Sequence, residues 1–186
     1  MTVASHPSMS KKAATRKLQE IDIVVETPRG QRNKFKFEPK SGRFRLGKVL
    51  PAGLSFPYDF GFLPETKAED GDPLDVLLLM DEPAFPGCIV EARVVGVIEA
   101  EQEEDGETIR NDRLIAVATD ARDYADIRTA SDINHNLLHE LEQFFISYNQ
   151  TQGRIFRLLG TKGPRQARKI IKAAYRPRRK RKRQPN

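Results

Sequence analysis

The sequence predicts a mainly β fold, a small barrel that carries α-helices on its outer surface, so that the whole is α+β. Two observations support this prediction. Short apolar stretches that alternate with period two fill roughly the first two thirds of the chain, with turns between them. The period then changes to three and four residues, which is typical of helices. No internal repeat is visible along the chain.

The predicted strands are separated by short turns. The runs at 34–38 and 43–46 alternate on either side of a turn that contains Pro and Gly, which predicts a hairpin. A long strand at 88–99 contains Gly96, where we expect a bulge, and an acidic turn at 101–107 follows it. The predicted strands are residues 21–26, 34–38, 43–46, 76–80, 88–99, 113–118 and 154–159.

Two helices are predicted near the end of the chain. Ser131 or Asp132 is the expected N-cap of the first, whose apolar residues recur at helical spacing until Gly153 ends it. Gly163 and Pro164 open the second, because proline is favoured at the first helical position.

Length and composition indicate one domain with two tails. We expect a mobile arm at 1–17, a barrel domain at 18–176 and a disordered basic tail at 177–186. The single cysteine, Cys88, excludes an internal disulfide and fits a reducing compartment. The sequence contains no apolar run that could span a bilayer and no N-terminal signal peptide pattern. A cytoplasmic location is therefore expected.

The positive charge is concentrated at the C-terminus. The net charge is +6, yet residues 176–183 contain seven basic residues and no acidic one, so the rest of the chain is slightly negative. Such a tail binds polyanions such as nucleic acid through their phosphates, or it is simply a solubilising tail. The predicted polyanion contact comprises Arg178, Arg179, Lys180, Arg181, Lys182 and Arg183.

An acidic loop, E-D-G-D-P-L-D, precedes a predicted apolar strand. Gly71 permits a tight turn and Pro73 restricts its backbone, so that the carboxylates of Asp70, Asp72 and Asp75 are expected to converge. Convergent carboxylates repel one another unless a cation is present, and Mg²⁺ combines carboxylates with substrate phosphates. The loop predicts a site for Mg²⁺ and phosphate, and the alternative is a solvated acidic turn.

The motif D-G-D-P-L-D at 70–75 resembles the signature of the family I soluble inorganic pyrophosphatases. Other motifs match in order: Glu26 before Thr-Pro, S-G-R-F in the hairpin, P-Y-D-F-G-F after it and F-F-I-S-Y in the first helix. The resemblance covers residues 20 to 175. It implies a five-stranded closed barrel of OB type with flanking helices. It also implies hydrolysis of pyrophosphate to two phosphates with Mg²⁺, or alternatively Mn²⁺, and a homo-oligomer, with a hexamer favoured.

The same resemblance implies roles for individual residues. Asp72 is the catalytic carboxylate that orients or deprotonates the attacking water. The implied metal ligands are Asp70, Asp72, Asp75 and, from the second acidic turn, Glu104. The implied ligands of pyrophosphate or phosphate are Glu26, Lys34, Lys48, Arg113 and Tyr148.

Five positions depart from the family pattern. Lys36 stands where the family has glutamate and Asn111 where it has aspartate, which weakens the binding of cations. Phe56 and Phe60 replace tyrosines and Asn149 replaces a lysine, which removes contacts to water and phosphate.

These departures leave two functional readings of the barrel open. One is a divergent pyrophosphatase, and the other is a pyrophosphatase-like protein with weak or altered activity on another phosphate compound. A third reading, from a different class, is a nucleic-acid-binding module, because OB-type barrels also bind nucleic acid. Deletion of the basic tail separates them, because it abolishes nucleic-acid binding and leaves hydrolysis intact.

Overall fold

The computed structural model describes residues 20–176. The predicted arm at 1–17 and the basic tail at 177–186, with its predicted polyanion contact, lie outside the described residues. The strands are β1 Glu20–Thr27, β2 Asn33–Glu38, β3 Arg43–Val49, β4 Asp59–Leu63, β5 Leu74–Leu79, β6 Ile89–Glu104, β7 Glu107–Arg110, β8 Arg113–Ala118 and β9 Ile155–Lys162. The α-helices are α1 His135–Gln150 and α2 Pro164–Ala174, and a 3₁₀ turn spans Ala130–Asp132.

Five strands form a closed ring of pairings in the order β1, β4, β5, β8 and β6, which returns to β1. Every pair in the ring is antiparallel except β5 and β8, which run parallel. Strands β7 and β9 pair with β6, and β2 and β3 form a separate hairpin. The predicted five-stranded closed barrel with flanking helices is therefore confirmed.

The interior of the ring is filled by the strands themselves. All six residues of β8 are buried, as is every residue of β4. Helix α1 covers one side with Leu141, Phe144 and Phe145, which belong to the same core cluster as the barrel strands. The helix thus contributes an apolar stripe to a core that the strands already close.

The predicted bulge at Gly96 is confirmed, because the register of β6 against β8 shifts between Val94 and Gly96. A Cβ atom on Gly96 would lie 2.6 Å from the Cβ of Ala130 and 2.7 Å from the carbonyl oxygen of Lys162. Only glycine permits this close approach of backbone to backbone.

Two predicted boundaries are wrong. The acidic segment 101–107 is not a loop, because β6 continues to Glu104 and pairs with β7 across a tight turn at Asp105 and Gly106. Both turn residues have positive φ, 51° and 81°, which suits a short hairpin connection. The N-cap of α1 is Asn134, whose side chain accepts the N–H of Asn136, rather than Ser131 or Asp132.

Asp132 has a different local role that explains the wrong prediction. Its carboxylate accepts the backbone N–H groups of Arg128 and Thr129, both at 2.8 Å, and so closes the 3₁₀ turn that precedes α1. A capping pattern is present in the sequence, but it caps this turn. No helix within residues 20–176 is long and apolar enough to cross a membrane.

Candidate active site

One cleft of about 480 Å³ opens between the β2–β3 hairpin, the acidic loop before β5, the ends of β6 to β8 and the C-terminal end of α1. Three departures, Lys36, Asn111 and Asn149, also line it, whereas Phe56 and Phe60 do not and are buried in the core. Every residue predicted for catalysis, metal or substrate lines this cleft: Glu26, Lys34, Lys48, Asp70, Asp72, Asp75, Glu104, Arg113 and Tyr148.

The acidic loop is folded by its own backbone. Gly71 has a φ of +89°, and the N–H of Asp72 donates to Asp70 Oδ1 at 3.0 Å. The carbonyl oxygen of Asp72 accepts the N–H of Ala68 at 2.8 Å, which closes the turn. Asp70 is exposed at the rim of the cleft, and desolvation of its carboxyl group raises its pKa.

The hydroxyl of Thr66 ties the loop to the barrel. It accepts the N–H of Leu74 at 2.9 Å and donates to the carbonyl oxygen of Leu63 at 2.6 Å. The loop therefore leads directly into the buried strand β5, and Asp75 enters the cleft from the start of that strand.

Arg113 is a buried cation at the floor of the cleft. Its Nη1 lies 3.1 Å from Asp75 Oδ2, and its guanidinium carbon lies 5.4 Å and 5.8 Å from the ring centroids of Phe145 and Phe156. A guanidinium with an aromatic base and a carboxylate partner is held in one orientation. Arg113 is thus a fixed positive group beside the acidic loop.

Asn111 extends this arrangement to β6. Arg113 Nη1 donates to two oxygens of Asn111, the backbone carbonyl oxygen at 2.9 Å and the side-chain Oδ1. Its Nδ2 donates to Gln102 Oε1 at 2.9 Å. Asp112, one residue along, faces away and pairs with Arg110 at 2.9 Å. The wall of the cleft formed by Gln102 and Asn111 is therefore neutral.

Lys36 reaches the acidic loop from the hairpin. Its Nζ lies 2.8 Å from Asp72 Oδ2. This hydrogen bond raises the pKa of the Lys36 ammonium, and the charges of Glu26 and Asp75 add to the same effect. The carboxylate expected to act on water thus has a cation as its neighbour.

Two lysines and a tyrosine form the side of the cleft next to α1. Lys34 Nζ lies 5.0 Å and 5.2 Å from the ring centroids of Phe60 and Tyr148, and Lys48 Nζ lies 5.8 Å from the Tyr148 ring. Burial favours the neutral Tyr148 phenol, but the charges of Lys34 and Lys48 outweigh it, so the pKa of Tyr148 is lowered. The two ammonium groups and the phenol can therefore stabilise an anionic oxygen at this side of the cleft.

Glu26 anchors the hairpin to the barrel. Its Oε1 accepts the N–H of Phe37 at 2.7 Å, and Thr27 Oγ1 accepts the N–H of Phe35 at 3.2 Å. Burial raises the pKa of the Glu26 carboxyl group. Glu26 therefore positions Lys34 and Lys36, which lie on the same strand, as well as lining the cleft.

Three polar residues of the site were not predicted from the sequence. Gln102 faces Asn111, and Gln152 accepts from Lys48 Nζ and, at 3.3 Å, from Arg154 Nη1. Arg154 Nη2 lies 2.8 Å from Glu104 Oε1. The available signals were the alternation of Gln102 with Glu104 along β6 and the basic residue directly after Gly153.

Asn149 does not provide a cationic contact in place of the expected lysine. Its side chain is 1% exposed and its Nδ2 donates to the Phe145 carbonyl oxygen at 2.9 Å. Arg154, five residues further along, brings a positive group into the same cleft.

The donor set of the acidic loop suits a hard divalent cation, because all its side-chain donors are carboxylate oxygens. Within the described part of the chain, however, no three His, Cys, Asp or Glu side chains form a ready-made metal-binding group. Two of the loop's carboxylates have cationic partners instead: Asp72 pairs with Lys36 and Asp75 pairs with Arg113. Asp70 has no ion-pair partner among residues 20–176.

Comparison with known proteins agrees with this geometry. The model of the family described as "Inorganic pyrophosphatase" matches residues 23–178. The chain is 34% identical over 154 residues to the inorganic pyrophosphatase of Synechocystis sp.. This match covers 83% of the present chain and 89% of the Synechocystis protein. It is 37% identical over 134 residues to the inorganic pyrophosphatase of Thermus thermophilus, and this match covers 72% of the present chain and 74% of the Thermus protein.

Solved structures give the same result. The crystal structure of inorganic pyrophosphatase from Thermus thermophilus superimposes with a TM-score of 0.77 at 31% identity, over 91% of this chain and 94% of that one. An inorganic pyrophosphatase from Neisseria gonorrhoeae gives 0.77 at 32% identity, over 85% and 90%. The barrel, its cleft and these relatives lead to one conclusion: the chain belongs to the inorganic pyrophosphatase family.

Proposed function

We propose that this protein hydrolyses inorganic pyrophosphate to two phosphates in a reaction that depends on Mg²⁺, with Mn²⁺ as an alternative. One observation carries the proposal. A single cleft combines the acidic loop, Asp70, Asp72 and Asp75, with cationic groups from three other elements, including Lys34 and Arg113. Pyrophosphate is highly anionic, so a site for it needs both metal ligands and fixed cations.

The residues divide the work by their chemistry. The proposed oxygen donors for divalent cations are Asp70, Asp72, Asp75 and Glu104. A bound divalent cation supplies charge neutralisation and lowers the pKa of a water molecule. Lys34, Lys48 and Arg113 hold the phosphates. Tyr148 and Glu26 also contact the bound pyrophosphate or phosphate.

Asp72 is the proposed catalytic residue. The oxygen of a water molecule attacks one phosphorus, the bridging P–O bond breaks, and the second phosphate leaves with the bridging oxygen. Asp72 orients the water and accepts its proton. The hydrogen bond from Lys36 occupies one carboxylate oxygen of Asp72, so we expect slower turnover than from a free carboxylate.

Phosphate release from pyrophosphate by the purified full-length protein tests this proposal. We expect release in Mg²⁺ and in Mn²⁺, and none after chelation of the metal. Asp72→Asn should lower the rate about 10²-fold, because it removes the group that acts on the water. Asp120→Asn is the matched control, since Asp120 is exposed and lies outside this cleft.

Two results would count against the proposal. Equal release from the wild-type protein and Asp72→Asn would remove Asp72 from the mechanism. No release from the wild-type protein in either metal would mean that the cleft does not hydrolyse pyrophosphate.

We also propose a homo-oligomer, with a hexamer favoured by the resemblance. Phe85 and Ile89 support it, because they leave 66% and 67% of their surface exposed. Contiguous exposed apolar surface marks sites of contact between proteins. Light scattering should give an oligomer for the wild-type protein and a smaller species for Phe85→Ser with Ile89→Ser. A monomeric wild-type protein would contradict it.

A cytoplasmic location belongs to the same proposal. Cys88 is the single cysteine of the chain and is a free thiol, which fits a reducing compartment. Cell fractionation tests it, and recovery of the protein in the membrane or secreted fraction would contradict it.

A further inference from the structure

The hairpin brings an ammonium group into a position that faces several carboxylates. Lys34 and Lys36 are two residues apart on β2, so they project from the same face of the strand, and both line the cleft. Lys36 Nζ is 2.8 Å from Asp72 Oδ2 and also lies in the fields of Glu26 and Asp75. This is the environment that a divalent cation would otherwise have.

The opposite wall offers no further charged donor. Asn111 Oδ1 accepts from Arg113, and Asn111 Nδ2 donates to Gln102 Oε1. Gln102 and Asn111 are both largely buried, and these amide atoms are already hydrogen-bonded to each other and to Arg113. A metal ion at that wall would have to displace hydrogen bonds and would find only neutral oxygens. Glu104, which follows on β6, is paired with Arg154.

The charges that line the cleft balance. Within residues 20–176, five carboxylates and five cationic side chains line it. Three ion pairs use up most of the carboxylates: Lys36 with Asp72, Arg113 with Asp75, and Arg154 with Glu104.

Two carboxylates remain without an ion-pair partner in the described chain, Glu26 and Asp70. Glu26 is buried and accepts the Phe37 N–H, whereas Asp70 is exposed at the rim of the acidic loop. Mg²⁺ and similar ions are held by one or two carboxylates, and the remaining positions are filled by water and phosphate. The donor set therefore suits one ion at Asp70, with an oxygen from Asp72 or Asp75.

We propose that Lys36 acts as a built-in cation that takes the place of one divalent ion, so that the protein alone binds a single divalent cation, at the 70–75 loop. Lys36 then supplies a positive charge to the bound anion from the hairpin, through an ammonium group that Asp72 holds at 2.8 Å. This inference rests on the proposed function of the cleft, since it concerns how many metal ions that site requires.

The number of bound Mn²⁺ ions tests the inference without any substrate. Isothermal titration of the full-length protein with Mn²⁺ should give a stoichiometry of one per chain. Lys36→Glu should give two, because a carboxylate would then face Asp72 and Asp75. Lys36→Arg should remain at one, because it keeps the charge.

Lys40→Glu is the matched control for the change in charge. Lys40 is exposed in the turn of the same hairpin and does not line the cleft. The Lys40→Glu variant should bind one Mn²⁺ ion, like the wild-type protein. Lys36 is exposed enough that its variants are expected to fold, and thermal unfolding of each variant checks this.

The inference is overturned if the wild-type protein binds no Mn²⁺ or two or more ions, or if Lys36→Glu still binds one. A failure of the proposed function is distinguishable, because hydrolysis is measured separately. The wild-type protein could bind one Mn²⁺ ion and Lys36→Glu two, while neither releases phosphate. The inference about Lys36 would then stand, and pyrophosphate would be excluded as the substrate.

Discussion

Arg113 and Asp75 join two parallel strands at the floor of the cleft. The two residues are direct partners in the β5–β8 register, and Arg113 Nη1 lies 3.1 Å from Asp75 Oδ2. Since the arginine also rests on two aromatic rings, it cannot move without disturbing the core. The pair thus connects the stability of the barrel to the charge distribution of the cleft.

Replacing Arg113 should affect both stability and activity. Arg113→Met leaves Asp75 without its partner, and we expect a loss of about 2 kcal/mol in the free energy of unfolding. Arg113→Lys keeps the charge but loses the forked geometry, so it should be nearer to the wild-type protein in stability. Urea unfolding measures both variants, and equal stability of all three proteins would show that the pair contributes nothing.

The activity of the Arg113 variants is a separate prediction. Both should lower kcat/KM for pyrophosphate, by about 10²-fold for Arg113→Met, because a phosphate loses a preorganised cation. Steady-state kinetics on protein shown to be folded checks this. A kcat/KM unchanged in Arg113→Met would mean that the arginine is purely structural.

Tyr148 should ionise at a lower pH than Tyr58. The charges of Lys34 and Lys48 lower its pKa, whereas burial and a hydrogen bond with Tyr124 raise the pKa of Tyr58. A lowered pKa means that the phenolate appears at lower pH. Ultraviolet difference titration should therefore show an early step that is absent from Tyr148→Phe.

A lysine variant tests the cause of this shift. Lys34→Gln removes a positive charge next to the phenol, so the early step should move to higher pH. Lys40→Gln, in the exposed hairpin turn, is the control and should leave it unchanged. An early step that survives in Tyr148→Phe would assign it to another tyrosine.

Gly61 is required for the pairing of β1 with β4. A Cβ atom there would lie 2.1 Å from the carbonyl oxygen of Val24, so Gly61→Ala must push the two strands apart. We expect a loss of about 3 kcal/mol in the free energy of unfolding. Gly163→Ala, whose Cβ would meet nothing within 4 Å, is the control, and equal unfolding midpoints for the two variants would contradict the prediction.

The sequence predicts the barrel strands whose apolar residues alternate or follow one another without interruption. Strand β4 was not predicted, because Asp59 and Gly61 interrupt its apolar residues, whereas β8, which is equally buried, is a continuous apolar run after Arg113. Asp59 illustrates the difficulty: it is an acidic residue inside the core, where it accepts the N–H groups of Arg29 at 2.7 Å and Ala84 at 2.8 Å. Those partners are distant in sequence, so no local pattern could reveal them.

The site could be predicted as far as its motifs extend. The acidic loop and the basic residues of the hairpin are local patterns, and the fold brings them to one cleft. The pairing of Arg154 with Glu104 and of Lys36 with Asp72 depends on how the end of α1 and the hairpin fold over the barrel. Contacts of this kind are set by tertiary structure, which is why Arg154 and Gln152 were not predicted.

The central claim is that this cleft hydrolyses pyrophosphate rather than another phosphate compound. Phosphorus NMR of one mixture of pyrophosphate, tripolyphosphate and a nucleoside triphosphate, with the protein and Mg²⁺, tests it most directly. We predict that the pyrophosphate signal is lost first while orthophosphate grows, and that Asp72→Asn loses the pyrophosphate signal about 10²-fold more slowly. Loss of the nucleotide or tripolyphosphate signals with pyrophosphate intact, or no change with the wild-type protein, would contradict the account.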